Sequence, residues 1–113
     1  MPKSPPDRVE LLQGTLDMLI LRTLLFGPAH GHQIAKHIQR TTDEILQVEH
    51  GSLYPALHRL ERAGLLASRW SEVAGRRRRV YQLTAKGERT LARRHEEWRL
   101  FARAMTSVVG GSA

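Results

Sequence analysis

Apolar positions along the chain form four helical stripes and one alternating pair. Leu16, Met18, Leu19, Ile20, Leu21, Leu24, Leu25 and Phe26 crowd the first stripe and surround almost its whole circumference. They predict a helix from residue 12 or 15 to residue 26. Gly27-Pro28 should end it, because glycine suits a C-terminal cap and proline cannot continue the ladder. A helix apolar all round must be covered on more than one side. The core covers one side, and a second subunit is the natural cover for the other.

Ile34, Ala35 and Ile38 predict a second helix over residues 31–40. Within the connector that follows, Ile45-Leu46-Gln47-Val48 suits a short strand. Leu53, Leu57 and Leu60 at i, i+4, i+7 give a third helix, residues 52–63, one buried face. Ser52 is its expected N-cap and Gly64 its stop. Pro55 would then take the third helical position, where a missing N–H has no intrahelical role. Residues 66–73 and 79–83 read as a hairpin, with Ala74-Gly75-Arg76-Arg77 as its turn. Thr84 caps a long fourth helix reaching about Met105.

The order helix, helix, short strand, helix, hairpin is that of a winged helix-turn-helix. The expected fold class is mainly α with a small β-hairpin and a C-terminal dimerisation helix. Its parts are a flexible N-terminal arm over residues 1–11, a DNA-binding domain over 12–83, the dimerisation helix over 84–106 and a disordered tail over 107–113.

Charge sharpens this picture. The chain has 113 residues and a net charge of +7. Residues 1–50 hold five Lys/Arg and six Asp/Glu, whereas residues 51–113 hold thirteen Lys/Arg and five Glu. Lys86 is the one lysine among those thirteen. Arginine's planar fork matches phosphates and guanine edges. An arginine-loaded half in a small domain points to a polyanion; the bland alternatives are a solvated basic face and a composition that favours arginine.

At 100° per residue, the side of the third helix opposite its leucines carries Ser52, Pro55, His58, Arg59 and Arg62. Ser52, Pro55 and Arg59 are expected in the major groove, with Tyr54 and His58 on its flanks. Arg59 is the first choice for a bidentate guanine contact; pairing with Glu61 or a phosphate is the alternative. Backbone N–H groups of Gly31 and His32 begin the second helix and suit a phosphate. Gln33 and Lys36 either add contacts there or form a solvated face. Arg76, Arg77, Arg78 and Arg79 form the wing tip.

On the fourth helix, Leu91, His95, Trp98, Ala102 and Met105 recur at intervals of 4, 3, 4 and 3, the spacing of a two-helix seam. With Leu16, Leu19, Ile20 and Phe101 they make the expected dimer interface. Trp98 beside His95, Phe101 and Met105 suits either interface packing or an aromatic pocket for a small planar apolar effector.

Other chemistries find little support. There is no cysteine. His30, His32 and His37 have no metal-ligand spacing, so no metal or cofactor is expected. No phosphate loop, paired carboxylates or nucleophile elbow points to an enzyme. Asp43, Glu44 and Glu49 read as solvated or capping. Residues 16–26 are too short to span a bilayer and hold Asp17 and Arg22, so a soluble cytoplasmic protein without membrane contact is expected.

Four strings carry a resemblance. They are Gly14-Thr15-Leu16-Asp17-Met18-Leu19-Ile20-Leu21 with Gly27-Pro28-Ala29-His30-Gly31-His32-Gln33-Ile34, then Gly51-Ser52-Leu53-Tyr54-Pro55-Ala56-Leu57-His58-Arg59-Leu60-Glu61-Arg62-Ala63-Gly64-Leu65, then Tyr81-Gln82-Leu83-Thr84-Ala85-Lys86-Gly87. In order and spacing the sequence resembles the PadR family of bacterial transcriptional regulators. His32 departs from it, since the family usually has Tyr after His-Gly. The resemblance implies a homodimeric repressor that binds a palindromic operator beside a controlled operon and leaves it on a small-molecule or other signal. The alternative is a non-enzymatic winged-helix module for general nucleic-acid or protein docking, without a defined operator.

Overall fold

A computed structural model of the chain describes residues 13–110. The expected N-terminal arm and the last three residues lie outside that range. Seven elements follow one another: α1 (Gln13–Leu24), β1 (Ala29–His30), α2 (Gly31–Thr41), α3 (His50–Arg62), β2 (Leu66–Val73), β3 (Arg76–Leu83) and α4 (Ala85–Val109). The chain is mostly helical with a small antiparallel sheet of order β1-β3-β2.

The short strand is not where the sequence put it. Leu46 makes only an isolated bridge, and β1 lies instead between α1 and α2, pairing Ala29 with Tyr81 and His30 with Val80. Two residues, both half-buried, are too few to leave a period-2 signal. Pro28, which cannot donate a ladder bond, directly precedes the strand.

Leu16, Ile20, Leu21 and Leu24 of α1 meet Ile34, Ala35 and Ile38 of α2 and Leu53, Ala56, Leu57 and Leu60 of α3. Leu65, Leu66 and Tyr81 close this core from the sheet, and Leu91 from α4. Leu16 and Ile20 are therefore consumed inside the chain and cannot face a second subunit. Leu91 is buried in the same way. Leu19 is half-buried beside the core.

The ends of α3 differ from expectation. The helix starts at His50, with Glu49 as an N-cap that makes no side-chain bond, so Ser52 lies inside the first turn. Pro55 is accordingly interior, where it removes the bond that the Gly51 carbonyl would accept. At the other end Gly64, φ 79°, takes the left-handed conformation. Its N–H donates to the Glu61 carbonyl and that of Leu65 to the Leu60 carbonyl, so the last carbonyls are satisfied. Lys86 Nζ adds a bond to the Ala63 carbonyl at 2.9 Å.

The hairpin turns on Ala74 and Gly75 alone, with φ of 54° and 76°. Two positive φ values match the right-handed twist of the flanking strands. β3 therefore begins at Arg76, and the four arginines lie on a strand and not in a turn. Thr84 caps α4 as expected, accepting the Gly87 N–H at 3.0 Å. The helix outruns the expected end at 106 and stops at Val109, where Gly110 is left-handed. Gly87, Thr90 and Leu91 are its buried residues; Trp98, Phe101, Met105, Val108 and Val109 are exposed.

Candidate nucleic-acid interface

α3 turns its leucines inward and presents Gly51, Ser52, Pro55, His58 and Arg62 to solvent. Four of these were expected on the groove side. Arg59 was the fifth, and its position is different. It sits on the flank of α3 facing α1, where Nη2 donates to Asp17 Oδ1 at 2.6 Å. Asp17 is 8% exposed. The ion-pair partner is Asp17 and not Glu61. No local pattern reveals the pairing, because Asp17 reads as an interruption of an apolar run and the partners are 42 residues apart. Arg59→Ala is therefore expected to cost about 1–3 kcal/mol of stability, since it strands a nearly buried carboxylate. It should weaken preferred and random DNA alike. Thermal unfolding and the two affinities, measured on the same variant, check this; a loss confined to preferred DNA would return Arg59 to base reading.

Tyr54 lies against the start of α2. A Cβ at Gly31 would meet its hydroxyl and ring at 2.7–2.9 Å, so glycine is what admits the ring. Gly31 is buried, while His32, Gln33 and Lys36 are exposed. Gln33 is partly engaged: its Oε1 accepts the His30 N–H at 3.0 Å. His30 Nδ1 stands 3.4 Å from the Gln33 N–H. This is a capping box with histidine in the place of Ser or Thr. On the other side His30 Nε2 stands 2.6 Å from Arg78 Nη1. Both neighbours are donors, and a neutral imidazole has one acceptor nitrogen, so it serves one of them at a time.

His30 lines a cleft of about 400 Å³ with Gly31, His32, Tyr54 and Arg76 to Arg79. His32 stacks on His30 at 6.4 Å and meets His50 edge-on at 6.5 Å, and His50 meets Tyr54 at 5.7 Å. Burial, then the charges of Arg78 and His32, hold the His30 pKa below its ordinary value. Among the described residues no group of three or more His, Cys, Asp or Glu is placed to hold a metal ion.

A sign follows for pH. His30 is expected neutral in the free protein near pH 7, because its pKa lies below the usual 6.5. A phosphate in the cleft would favour the protonated ring, so DNA binding takes up a proton there. Affinity at constant ionic strength should rise as pH falls from 7.5 toward 6, and His30→Asn should flatten that rise. Folding runs the other way: the depressed pKa contributes stability above 6.5 that is lost as pH falls through it. Titrations at several pH values check both signs.

The wing arginines do not act as one cluster. β2 and β3 register Trp70 with Arg79, Ser71 with Arg78, Glu72 with Arg77 and Val73 with Arg76. Arg77 and Arg79 therefore share a face with Trp70, and Arg76 and Arg78 share the other. The guanidinium carbons of Arg77 and Arg79 lie 4.5 Å and 5.2 Å from the Trp70 ring. Arg79 Nε also donates to Ser68 Oγ, whose hydroxyl donates to Glu61 of α3. Burial and the Glu61 carboxylate raise the Tyr81 phenol above its ordinary pKa, while Arg79 lowers it. Trp70 was not foreseen, although the two-residue turn, once placed, sets it opposite Arg79.

A second cleft of about 260 Å³ lies between α1 and α4, lined by Thr15, Met18, Leu19, Arg22, Leu46, Leu91, His95 and Trp98. Phe101 and Met105, expected beside Trp98, do not line it. No helix among the described residues is long and apolar enough to cross a membrane.

Comparison with known proteins adds to this geometry. Residues 20–93 match the sequence profile of the Transcriptional regulator PadR-like family. Transcriptional regulator Rv3488 of Mycobacterium tuberculosis (strain ATCC 25618 / H37Rv) is 34% identical over 104 residues, 92% of each chain. A solved transcriptional regulator from Clostridium thermocellum, Cth-833, superposes with a TM-score of 0.79 at 33% identity, over 84% of this chain and 93% of that one. A PadR family transcriptional regulator from Eggerthella lenta DSM 2243 gives a TM-score of 0.74 at 33% identity, over 86% and 83%. The winged helix, its register and these likenesses lead to one conclusion: the chain belongs to the PadR-like family of DNA-binding transcriptional regulators.

Proposed function

We propose that the protein is a homodimeric repressor that grips a palindromic operator with α3 in the major groove and the β2–β3 wing against the backbone. It would act in the cytoplasm on a neighbouring operon. The carrying observation is the charge placement: Arg76 to Arg78 on the wing line one cleft with His30, His32 and Tyr54 of α3, and α3 also exposes His58 and Arg62. Lys36 and the Gly31 and His32 N–H groups, the first of α2, add to that placement.

Dimerisation rests on the distal half of α4. Trp98, Phe101, Ala102, Met105, Val108 and Val109 fall within an arc of about 120° at 100° per residue. A helix with such a stripe in water needs a partner, and a second copy offers the same stripe. Trp98, Phe101 and Met105 are 49%, 62% and 48% exposed. His95 flanks the stripe and Leu19 lies across the cleft from it. Leu16, Ile20 and Leu91 drop out of the interface because the core has taken them.

A small planar apolar effector would enter the cleft between α1 and α4, where Trp98 supplies one wall. A Trp98→Ala protein that dimerises and still responds to its inducer would leave Trp98 as packing alone.

Selection of bound sequences from a random duplex library tests the function. Preferred sites should bind about 10³-fold or more tighter than random DNA at one salt concentration. Equal binding with a steep salt slope would favour the docking module instead.

A further inference from the structure

We propose that Arg79 and Trp70 are positioning residues: a strut from Glu61 through Ser68 and Arg79 to Trp70 holds Arg77 ready for a DNA phosphate. The proposal rests on the DNA-binding reading of the wing. It divides the arginine run, all of which the sequence assigns to DNA, into a part that holds and a part that grips.

The strut starts on α3. Ser68 Oγ donates to Glu61 Oε2 at 2.6 Å and accepts from Arg79 Nε at 2.9 Å. Ser68 has one hydroxyl proton, so giving it to the carboxylate leaves its lone pairs for the guanidinium. Arg79 Nη2 stands 3.7 Å from the same Glu61 oxygen. These contacts turn Arg79 toward the protein and away from a phosphate. Its guanidinium also lies over Trp70, at 5.2 Å.

Arg77 receives the other half of the arrangement. Its guanidinium stacks on the same ring at 4.5 Å. Stacking uses the face of the guanidinium and leaves its N–H donors, which radiate in plane, open to an anion. A long side chain on an exposed strand otherwise loses rotamer freedom when it binds; the ring removes part of that cost beforehand. Glu61 is the telling member. A carboxylate near a DNA-facing surface repels phosphate, and here it has a cation to hold.

The test uses a duplex recovered by selection with the wild-type protein. Affinity and salt slope are measured for Trp70→Ala, Arg77→Ala, the double variant and Glu61→Gln, with thermal unfolding alongside. Trp70 is 54% exposed, so its loss should leave the fold intact. Trp70→Ala should weaken binding roughly two- to fivefold, the range of an exposed cation–π contact. The double variant should bind no more weakly than Arg77→Ala alone, because the ring acts through that arginine. Trp70→Phe should restore most of the loss. Glu61→Gln should weaken binding, against the sign that simple removal of a negative charge predicts. Multiplicative losses in the double variant, or tighter binding by Glu61→Gln, would overturn the strut. Full-strength binding by Arg77→Ala would overturn the wing's contact with DNA, and with it the reading beneath the strut.

Discussion

Trp98→Asp combined with Phe101→Asp should turn the proposed dimer into a monomer and weaken binding to a two-half-site duplex by about 10²–10⁴-fold. The two side chains lie on the exposed stripe of α4, beyond the last residue that packs on the chain's own core. Aspartate there should leave the winged helix folded, because its core is made by α1, α2, α3 and the sheet. A buried, unpaired carboxylate on each helix is costly to an apolar seam. Once the copies separate, the second half-site is no longer bound within one molecule, and its effective concentration is lost. Sedimentation gives the mass and fluorescence anisotropy gives the affinity. A dimer that survives both charges, or a monomer that binds at full strength, contradicts the assignment.

Gly87→Ala should be the most damaging single methyl in the described chain. A Cβ at Gly87 would clash with the Leu65 carbonyl oxygen and lie 2.7 Å from Leu83 Cδ1. The approach is this close because the cap of α4 is fastened to the end of α3. Thr84 N donates to the Leu65 carbonyl at 3.1 Å, and Thr84 Oγ donates to the Gly64 carbonyl at 2.7 Å. The first turn of α4 thus lies on the Gly64–Leu65 corner with no room for a side chain. Relief requires moving backbone, at a cost of about 1–3 kcal/mol or more. In a domain of this size that lowers the melting temperature by about 4–8 °C per kcal/mol. Gly51→Ala is the control: nothing lies within 4 Å of its Cβ, and it should match or slightly exceed the parent. Equal melting points for the two variants would refute the packing argument.

Much of the fold is legible in the residues, and the misses have physical causes. The leucines of α3 and the stripe of α2 mark one face at helical spacing, and the structure buries those faces. Thr84 is legible as a cap because a hydroxyl before a helical pattern has one obvious use. β1 is too short to show a period. Ser52 was the attractive cap on α3, yet the helix begins two residues earlier without a side-chain cap. A four-residue turn over Ala74 to Arg77, as the sequence suggests, hides the register that pairs Trp70 with Arg79. A two-residue turn reverses the consequence, because it moves the arginines onto a strand whose faces alternate.

The candidate interface was legible in charge and less so in detail. The run Arg76 to Arg79 stands out in any reading. That Arg78 lies on His30 and Arg79 on Ser68 depends on pairing across 48 and 11 residues, which no local pattern encodes. Arg59 faced away from the leucines on a helical wheel, but its flank is the one that α1 covers. Leu16 and Ile20 belonged to a helix apolar all round, and the wheel could not say which side the core would take.

The central claim is that two copies of this winged helix grip one duplex symmetrically. A hydroxyl-radical footprint on a selected duplex tests it most directly. Two-fold protection is expected, with inverted half-sites centred about 10–10.5 base pairs apart or a multiple of that. Protection of one half-site alone, or uniform protection with no preferred sequence, would contradict it.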